Sequence, residues 1–229
     1  PPARPPGALP VRYLAVMAGL YRAESGFRAL PEAEAEAEAL TATYGAIPLV
    51  ASPDALRRLL DARLEHEFRE VGGADAVHFA GHGEFDPSRP DASVLFLNDG
   101  SPLSSILFAD ARYGESQQPL IFLNACMVGT GGEILGDSGG FPGNCLRGGF
   151  GGVIGALWEV DDAVARGVAH EFWTRVLPAD GSSGEPVADV LRDIRARYDE
   201  AGGTHVPSYL AYAYYGHPEL TLTRVVEDA

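Results

Sequence analysis

Short apolar runs recur along the chain and are separated by segments with helical spacing. VRYLAVMAGL (11–20), PLIFLNAC (119–126) and GGVIGALW (151–158) are almost unbroken in their apolar character. Runs of this kind are typical of strands that are buried on both faces of a parallel sheet. Further strands are predicted at AIPLV (46–50), DAVHFAGHG (75–83) and SYLAYAYYG (208–216), and a hairpin arm at SVLFLNDG (93–100).

The segments between these strands have the character of helices. PEAEAEAEALTATYG (31–45) alternates Glu and Ala, both strong helix formers, and predicts a helix with an exposed acidic face. In SPDALRRLLDARLEHEFREVG (52–72), Ser52 is a candidate N-cap and apolar residues through Val71 share one helical face. Two more helices are predicted at 161–177 and 186–202. Because strands alternate with helices, we expect an α/β fold with a mostly parallel sheet.

The charge balance excludes some classes of partner. The chain has 229 residues, a formal net charge of −15 and 46% hydrophobic residues, which is enough for one substantial core. Such a surface repels phosphate backbones and anionic lipids, so neither nucleic acid nor a membrane is expected as a direct partner. A basic peptide or protein is a more compatible partner for this negatively charged surface. No apolar run is long enough to predict a membrane span.

The first residues and the cysteines bear on organisation and compartment. PPARPPGALP (1–10) predicts a stiff, extended linker, which leaves 11–229 as a single domain that we expect to be part of a longer protein. The two cysteines, Cys126 and Cys145, are too few for a disulfide scaffold. We expect both to be reduced thiols in a cytoplasm, with Cys145 in a structural position.

The pentapeptide GDSGG (136–140) surrounds the nucleophilic serine of trypsin-like enzymes. Those enzymes are built from antiparallel barrels, and the helices predicted here do not fit such a fold. A serine hydrolase of the α/β type needs G-x-S-x-G on a strand-to-helix elbow, which this segment lacks. We therefore expect Asp137 or Ser138 to serve as a helix N-cap instead of a catalytic group.

Reactive side chains follow two of the predicted buried strands. His82 ends the strand at 75–83, and Cys126 ends the strand at 119–126. Because functional groups collect at the carboxyl edge of a parallel sheet, we expect the imidazole and the thiol to lie close together. A cysteine paired with an imidazole is a nucleophile near neutral pH, and the N–H groups of Gly83 and Cys126 are candidates for an oxyanion hole.

Other sites are weakly indicated. His78 lies four residues before His82, but on a strand this spacing separates the two rings, so a core histidine is expected and no metal site. The glycines around 129–152 contain no GxGxxG directly after a strand. No cofactor is expected.

Three segments together resemble the CHAT family of caspase-like cysteine peptidases. They are VHFAGHGEFD (77–86), PLIFLNACMVGTG (119–131) and GGVIGALWEVDDAVA (151–165), and the resemblance runs from about residue 11 to about residue 222. It implies a caspase-like three-layer fold with a mostly parallel central sheet and helices on both faces. It also implies that His82 and Cys126 form the catalytic dyad. Two residues before the cysteine, where the family usually has a serine-like residue, this chain has Asn124.

The resemblance to separases extends to WEVDD (158–162), the segment that helps form their pocket for a basic P1 side chain. By this resemblance Asp162, with Asp161 as the alternate, attracts a lysine or arginine of the substrate. The strand edge near Trp158 and Glu159 would pair with the substrate backbone. A first-turn or N-cap role at a helix explains one of the two aspartates equally well.

The sequence thus predicts a cysteine endopeptidase domain that cleaves a protein substrate. The resemblance further implies that a sensor or regulatory domain or a partner protein gates the activity, and that the protein acts in bacterial antiviral defence. The alternative is that the same fold serves as a non-catalytic protein-interaction module.

Overall fold

A computed structural model of the chain describes residues 7–86, 88–110, 117–134, 137–200 and 207–225. Strands and helices alternate over most of this length. The strands are β1 Ala8–Val11, β2 Leu14–Ala18, β3 Ile47–Val50, β4 Leu64–His66, β5 Arg69–Gly72, β6 Ala76–Ala80, β7 Gly83–Glu84, β8 Val94–Phe96, β9 Pro102–Ser104, β10 Leu120–Asn124, β11 Gly132–Ile134, β12 Asp137–Gly139, β13 Gly152–Ala156, β14 Tyr212–Gly216 and β15 Thr221–Arg224. The α-helices are α1 Pro31–Tyr44, α2 Pro53–Leu60, α3 Gly140–Arg147, α4 Asp162–Val176 and α5 Val187–Glu200.

Six of the strands form the central sheet, in the order β14-β13-β10-β6-β2-β3. All neighbouring pairs are parallel except β13 and β14, which are antiparallel. In the middle of the sheet, β6 and β10 pair in register, so that Ala80 lies opposite Asn124 at their carboxyl ends. This pairing places the residues that follow the two strands next to each other.

Helices cover both faces of the sheet and create two apolar cores. Helices α1, α4 and α5 contribute to the core on one face, and α2 and α3 contribute to the core on the other. Strand β10 serves both, because Phe122 belongs to the first core while Ile121 and Leu123 belong to the second. A strand buried in this way has no polar face, which explains its unbroken apolar sequence. The predicted three-layer α/β fold with a mostly parallel sheet is confirmed.

Strand structure begins within the segment predicted as a linker. Residues Ala8–Val11 form β1, which pairs in parallel with β15, and residues 1–6 lie outside the described residues. Both Leu9 and Val11 are buried in the first core. The alternating pattern of buried and exposed residues in β1 is that of a strand with one covered face.

The single helix predicted over 52–72 is wrong beyond Leu60. Helix α2 has Ser52 as its N-cap, as predicted, but it ends at Leu60 and is followed by the β4–β5 hairpin. Ala62, Glu67 and Phe68 have positive φ values of 56°, 49° and 64°, which a right-handed helix excludes. Phe68, assigned to the apolar helical face, is fully exposed at the hairpin tip.

The segment around GDSGG also differs from its prediction. Asp137 and Ser138 lie in β12, which pairs with β11, and α3 begins only at Gly140. The N-cap of α3 is Gly139, and no side chain caps it. The expectation that Asp137 or Ser138 caps a helix is therefore wrong, because the chain continues as a strand for one residue beyond Ser138.

Candidate active site

The His82 backbone and ring are held by aromatic residues from two other segments. The His82 N–H donates to the Tyr21 hydroxyl at 2.8 Å, and that hydroxyl donates to the carbonyl of Phe96 at 2.8 Å. The imidazole lies against the rings of Tyr21 and Phe27, with centroids 4.6 and 5.2 Å away. These contacts fix the position of His82 just beyond the carboxyl end of β6.

One hydrogen bond determines which nitrogen of His82 carries the proton. Its Nε2 lies 2.8 Å from the carbonyl oxygen of Arg28. A carbonyl oxygen can only accept, so Nε2 must be protonated and must donate to it. The neutral imidazole therefore keeps its lone pair on Nδ1, and this nitrogen is the one able to take a proton from a thiol.

Cys126 lies in a tight turn that follows β10. Met127 has a φ of 61°, in the left-handed region, so the chain reverses immediately after the cysteine. The turn is attached to the sheet, since the Gly129 N–H donates to the Ala156 carbonyl and the Tyr215 hydroxyl donates to the Gly129 carbonyl, both at 2.8 Å. The sheet edge thus presents the half-buried thiol from a fixed backbone.

Burial raises the pKa of the Cys126 thiol above its ordinary value. The Val160 N–H, which donates to the sulfur, lowers the pKa, and the carboxylate of Glu159 raises it. The charges of Arg28 and Asp162 act in opposite directions, the cation lowering the pKa and the anion raising it. In this state of the site the group is a thiol at neutral pH, and a base must remove its proton as it attacks.

A single pocket contains most of the residues that the sequence singled out. It lies at the carboxyl edge of the sheet, between the first turns of α1 and the start of α4. It is lined by Arg28, Leu30, Ala33, Glu36, Ala80, Gly81, His82, Asn124, Ala125, Cys126, Glu159, Val160, Asp162 and Ala165. The structure therefore brings together His82, Cys126, Glu159 and Asp162, and leaves Gly83, Trp158 and Asp161 outside the lining.

The two adjacent aspartates have different surroundings. Asp161 is the N-cap of α4, and its carboxylate accepts from the N–H groups of Ala163 and Val164 at 3.1 Å each. Asp162 lines the pocket, and burial raises the pKa of its carboxyl despite a hydrogen bond from the Glu32 N–H. The helix cap accounts for Asp161, whereas Asp162 is the aspartate that lines the pocket.

Gly83 lies against the backbone of the Cys126 turn. A Cβ at this position would stand 2.9 Å from the Cys126 carbonyl oxygen and 2.5 Å from Cγ1 of Val128. Gly83 and Leu95 are partners in the β7–β8 ladder, and the Phe96 N–H donates to the His82 carbonyl. This pattern makes Gly83 and Leu95 a non-hydrogen-bonded pair, so the Gly83 N–H points away from β8.

Trp158 packs against the first core, and its indole nitrogen is buried without a hydrogen-bond partner among the described residues. The adjacent Glu159 is exposed and contributes to the pocket. Of the segment expected to pair with a substrate backbone, only the part after Trp158 therefore reaches the pocket.

The acidic face of α1 is not wholly exposed, contrary to the sequence expectation. Glu36 is only 4% exposed and lines the pocket, whereas Glu34 and Glu38 are exposed. Helical spacing explains the difference, because Glu36 falls on the same face as the buried residues Ala33 and Leu40. That spacing was a usable signal, but the regular alternation of Glu and Ala concealed it.

Sequence reasoning also missed two groups that hold His82. The Arg28 group that fixes the tautomer is a backbone carbonyl, which no sequence motif reveals. Tyr21 belongs to a short segment between β2 and α1, and only the fold brings its hydroxyl to His82. His78, by contrast, is a fully buried core histidine, as expected.

The described residues contain neither a metal-binding cluster nor a membrane-spanning helix. No group of three or more His, Cys, Asp or Glu side chains in them is arranged to hold a metal ion. No helix in the same ranges has the length and apolar character needed to cross a membrane.

Comparison with known proteins adds the family and the structural relatives. The family model described as the CHAT domain matches residues 10–212. No curated protein matches the chain at a significant level.

Solved structures of cysteine peptidases share the fold. The Arg-specific cysteine proteinase gingipain R of Porphyromonas gingivalis superposes with a TM-score of 0.59 at 15% identity, covering 92% of this chain and 47% of that chain. Separase in the Saccharomyces cerevisiae separase–securin complex gives 0.57 at 12% identity, covering 97% of this chain and 13% of that chain. Caspase-1 from Spodoptera frugiperda superposes with a TM-score of 0.54 at 12% identity, covering 97% of this chain and 96% of that chain. This chain thus spans less than half of the first two relatives, and at these identities the likeness shows the caspase-like fold alone.

Proposed function

Because the chain belongs to the CHAT domain family, whose fold it shares with caspase-like cysteine proteases, we propose that it is a cysteine endopeptidase acting through Cys126 and His82. The observation that carries this proposal is the bond from His82 Nε2–H to the Arg28 carbonyl. It leaves Nδ1 as a base in the pocket that also contains the Cys126 thiol.

The reaction follows from the protonation states of the two groups. His82 Nδ1 takes the proton of the Cys126 thiol as the sulfur attacks the scissile carbonyl carbon. The imidazolium then gives this proton to the leaving amine nitrogen when the C–N bond breaks, and the acyl group remains on sulfur as a thioester. Water, deprotonated by His82, attacks the thioester and releases the acid and the thiol.

The N–H of Gly83 is the proposed donor to the oxyanion, together with the N–H of Cys126. Its support is the position of Gly83 against the Cys126 peptide and the absence of a ladder bond to β8. Such donors stabilise the negative charge that develops on the carbonyl oxygen, typically by about 2.7–4 kcal/mol for each donor.

We place the P1 side chain of the substrate in the same pocket, where Asp162 and Glu159 favour a lysine or arginine. Asp161 is committed to the helix cap, which makes Asp162 the better candidate of the two. The residues around Glu159, beyond the packed Trp158, are the proposed edge for pairing with the substrate backbone.

Gating by a regulatory domain or partner protein is proposed from the structural relatives. Two of the relatives were solved with a second component, securin in one case and the pro-domain of gingipain in the other. A role in bacterial defence stays a prediction.

The test is a set of peptides with basic P1 residues, and a protein encoded beside this one as an alternative substrate. We expect cleavage by the wild type and no measurable cleavage by Cys126→Ala or His82→Ala, whereas Ser138→Ala retains full activity. Cleavage by Cys126→Ala would refute the mechanism. If the wild type binds the co-encoded protein tightly but never cleaves it, the non-catalytic interaction module is the correct function.

A further inference from the structure

A buried polar network lies directly behind the nucleophile. At its centre is the carboxylate of Glu36, which accepts hydrogen bonds from His78 Nε2 and from Asn124 Nδ2. The Asn124 amide reaches both carboxylate oxygens, at 2.9 and 3.0 Å. Glu36, His78 and Asn124 are 4%, 0% and 7% exposed, so water does not replace these contacts.

Trp173 and Tyr212, at the outside of the network, determine where the protons lie on His78 and how the amide of Asn124 is oriented. The Trp173 indole N–H donates to His78 Nδ1 at 3.1 Å, and an indole nitrogen can only donate. Nδ1 of His78 is therefore unprotonated, and its Nε2–H donates to Glu36. In the same way, the Tyr212 hydroxyl donates to Asn124 Oδ1 at 2.5 Å, which directs the amide N–H groups of Asn124 toward Glu36.

This bonding pattern leaves the network with a net negative charge. His78 is neutral, and the amide, indole and phenol groups carry no charge, so nothing within the network compensates the carboxylate of Glu36. Neutral donors hold it in place but do not cancel its field. A buried carboxylate is costly unless it is paired, so a cation that enters the pocket beside Cys126 would gain by pairing with Glu36.

The cations already near the pocket do not fill this role. Arg28 is the one arginine or lysine among the described lining residues, and its side chain is exposed. Within the described residues it has no carboxylate partner within 4.0 Å. Glu36, by contrast, faces the pocket that contains Cys126, so a cationic side chain entering beside the thiol approaches the buried carboxylate.

We propose that Glu36 is a specificity-determining residue, the buried anion that receives the basic side chain of the substrate. This inference rests on the proposed peptidase function and deepens it. In the resulting arrangement Asp162 and Glu159 attract the cation at more exposed positions, and Glu36 binds it in a site from which water is excluded. The role of His78, Asn124, Trp173 and Tyr212 is to hold that carboxylate in one orientation.

The first experiment measures the charge preference at the thiol without requiring peptidase activity. Cys126 is labelled with two methanethiosulfonates of similar size, one bearing a trimethylammonium group and one neutral, and the ratio of the two rates is determined. The thiolate forms a disulfide and methanesulfinate leaves, so both reagents report the same sulfur. Cys145 is completely buried, and Cys126→Ala supplies the blank.

We expect the wild type to prefer the cationic reagent and Glu36→Gln to lower the rate ratio about tenfold, while Glu38→Gln leaves it unchanged. Glu38 is the matched control, since it is an exposed glutamate on the same helix with the same change of charge. Glu36→Asp should retain most of the preference. An unchanged ratio in Glu36→Gln, or equal ratios in Glu36→Gln and Glu36→Asp, would overturn the proposal.

Salt distinguishes the buried charge from the acidic surface in the wild type itself, so the test does not depend on whether Glu36→Gln folds. At 1 M salt the Debye length is about 3 Å, which screens the surface field but not a pair in contact within the pocket. We expect the cationic preference to persist at 1 M NaCl. Its complete loss would assign the preference to the net charge of −15 and reject the role of Glu36.

The second experiment uses activity and separates this inference from the proposed function. Two peptides that differ only in arginine or its neutral analogue citrulline at P1 are cleaved by the wild type and by Glu36→Gln. We expect kcat/KM for the arginine peptide to fall at least tenfold and that for the citrulline peptide to change little. An equal loss on both peptides would make Glu36 merely structural, although Cys126-dependent cleavage by the wild type would still support the peptidase function.

Discussion

At the scale of single residues, His82, the proposed catalytic base, is held in one tautomer by a backbone group. In serine proteases an aspartate accepts from Nδ1–H and leaves Nε2 as the base, whereas here the Arg28 carbonyl accepts from His82 Nε2–H and fixes the opposite tautomer, with the lone pair on Nδ1. A carbonyl cannot be removed by substituting its side chain. Alanine at position 28 should therefore preserve the orientation of His82 and change only the charge beside Cys126.

The charges of Arg28 and Glu159 act on the Cys126 thiol with opposite sign, so Arg28→Ala and Glu159→Gln should shift its pKa in opposite directions. The Arg28 cation lowers the pKa of the thiol, so Arg28→Ala should raise it and slow alkylation by iodoacetamide at pH 7.5. The Glu159 anion raises the pKa, so Glu159→Gln should lower it and speed the reaction. Rates measured from pH 6 to pH 10 give each pKa, and shifts of the same sign in both variants would contradict this electrostatic account.

Gly83 is a second residue whose role is set by its backbone surroundings. In Gly83→Ala the new methyl group would stand 2.9 Å from the Cys126 carbonyl oxygen, so the turn that contains Cys126 or strand β7 must move. We expect a loss of about 1–3 kcal/mol in the free energy of unfolding and a fall of kcat/KM of at least about a hundredfold. Urea denaturation and peptide kinetics measure the two effects, and wild-type kinetics in the variant would contradict the oxyanion role.

At the scale of elements, the spacing of apolar residues predicts a helix correctly where the helical period continues along the segment. It gives a wrong prediction where the backbone leaves the helical conformation. The bounds of α1 and α4 were predicted to within a few residues, because caps and helix formers mark them. The region 61–72 was misassigned, since the apolar spacing continues beyond α2 although residues such as Glu67 adopt positive φ values. Side-chain periodicity carries no information about such a reversal when no glycine or proline signals it.

Helix α4 offers a prediction about stability that is independent of catalysis. Gly167 lies in the middle of this helix on its exposed side, and no atom lies within 4 Å of the Cβ that an alanine would add. Because glycine is disfavoured in helix interiors by roughly 0.5–1 kcal/mol relative to alanine, Gly167→Ala should stabilise the protein by that amount. A rise in Tm with unchanged kinetics is the expected result, and a lower Tm would contradict it.

At the scale of the whole molecule, the order of strands in the sheet decides which pocket residues can be predicted from the sequence. Two strand ends with reactive residues sufficed to predict that His82 and Cys126 share a site, because neighbouring parallel strands end at one edge. The third part of the pocket comes from α1, more than forty residues before His82, and its contribution depends on how the helix packs on the sheet. Helical spacing can place Glu36 on the buried face of α1, but its position in this pocket became clear only once that packing was known.

The packing of the first core gives the last prediction. Phe122 is completely buried in β10 and makes edge-to-face contacts with Phe172 at 5.0 Å, His78 at 5.2 Å and Tyr212 at 5.6 Å. Phe122→Ala should therefore lower the free energy of unfolding by about 3–5 kcal/mol, measured by urea denaturation.

The same substitution also tests whether the core orients the charge in the pocket. Two neighbours of Phe122, His78 and Tyr212, belong to the network that holds Glu36, so a cavity beside them should loosen that carboxylate. We expect the preference of Cys126 for the cationic thiol reagent to fall in Phe122→Ala at a temperature where the variant is still folded. Val50→Ala, on the edge strand where the side chain is 62% exposed, should change neither quantity. A destabilised Phe122→Ala with an unchanged preference would mean that Glu36 keeps its position without support from this core.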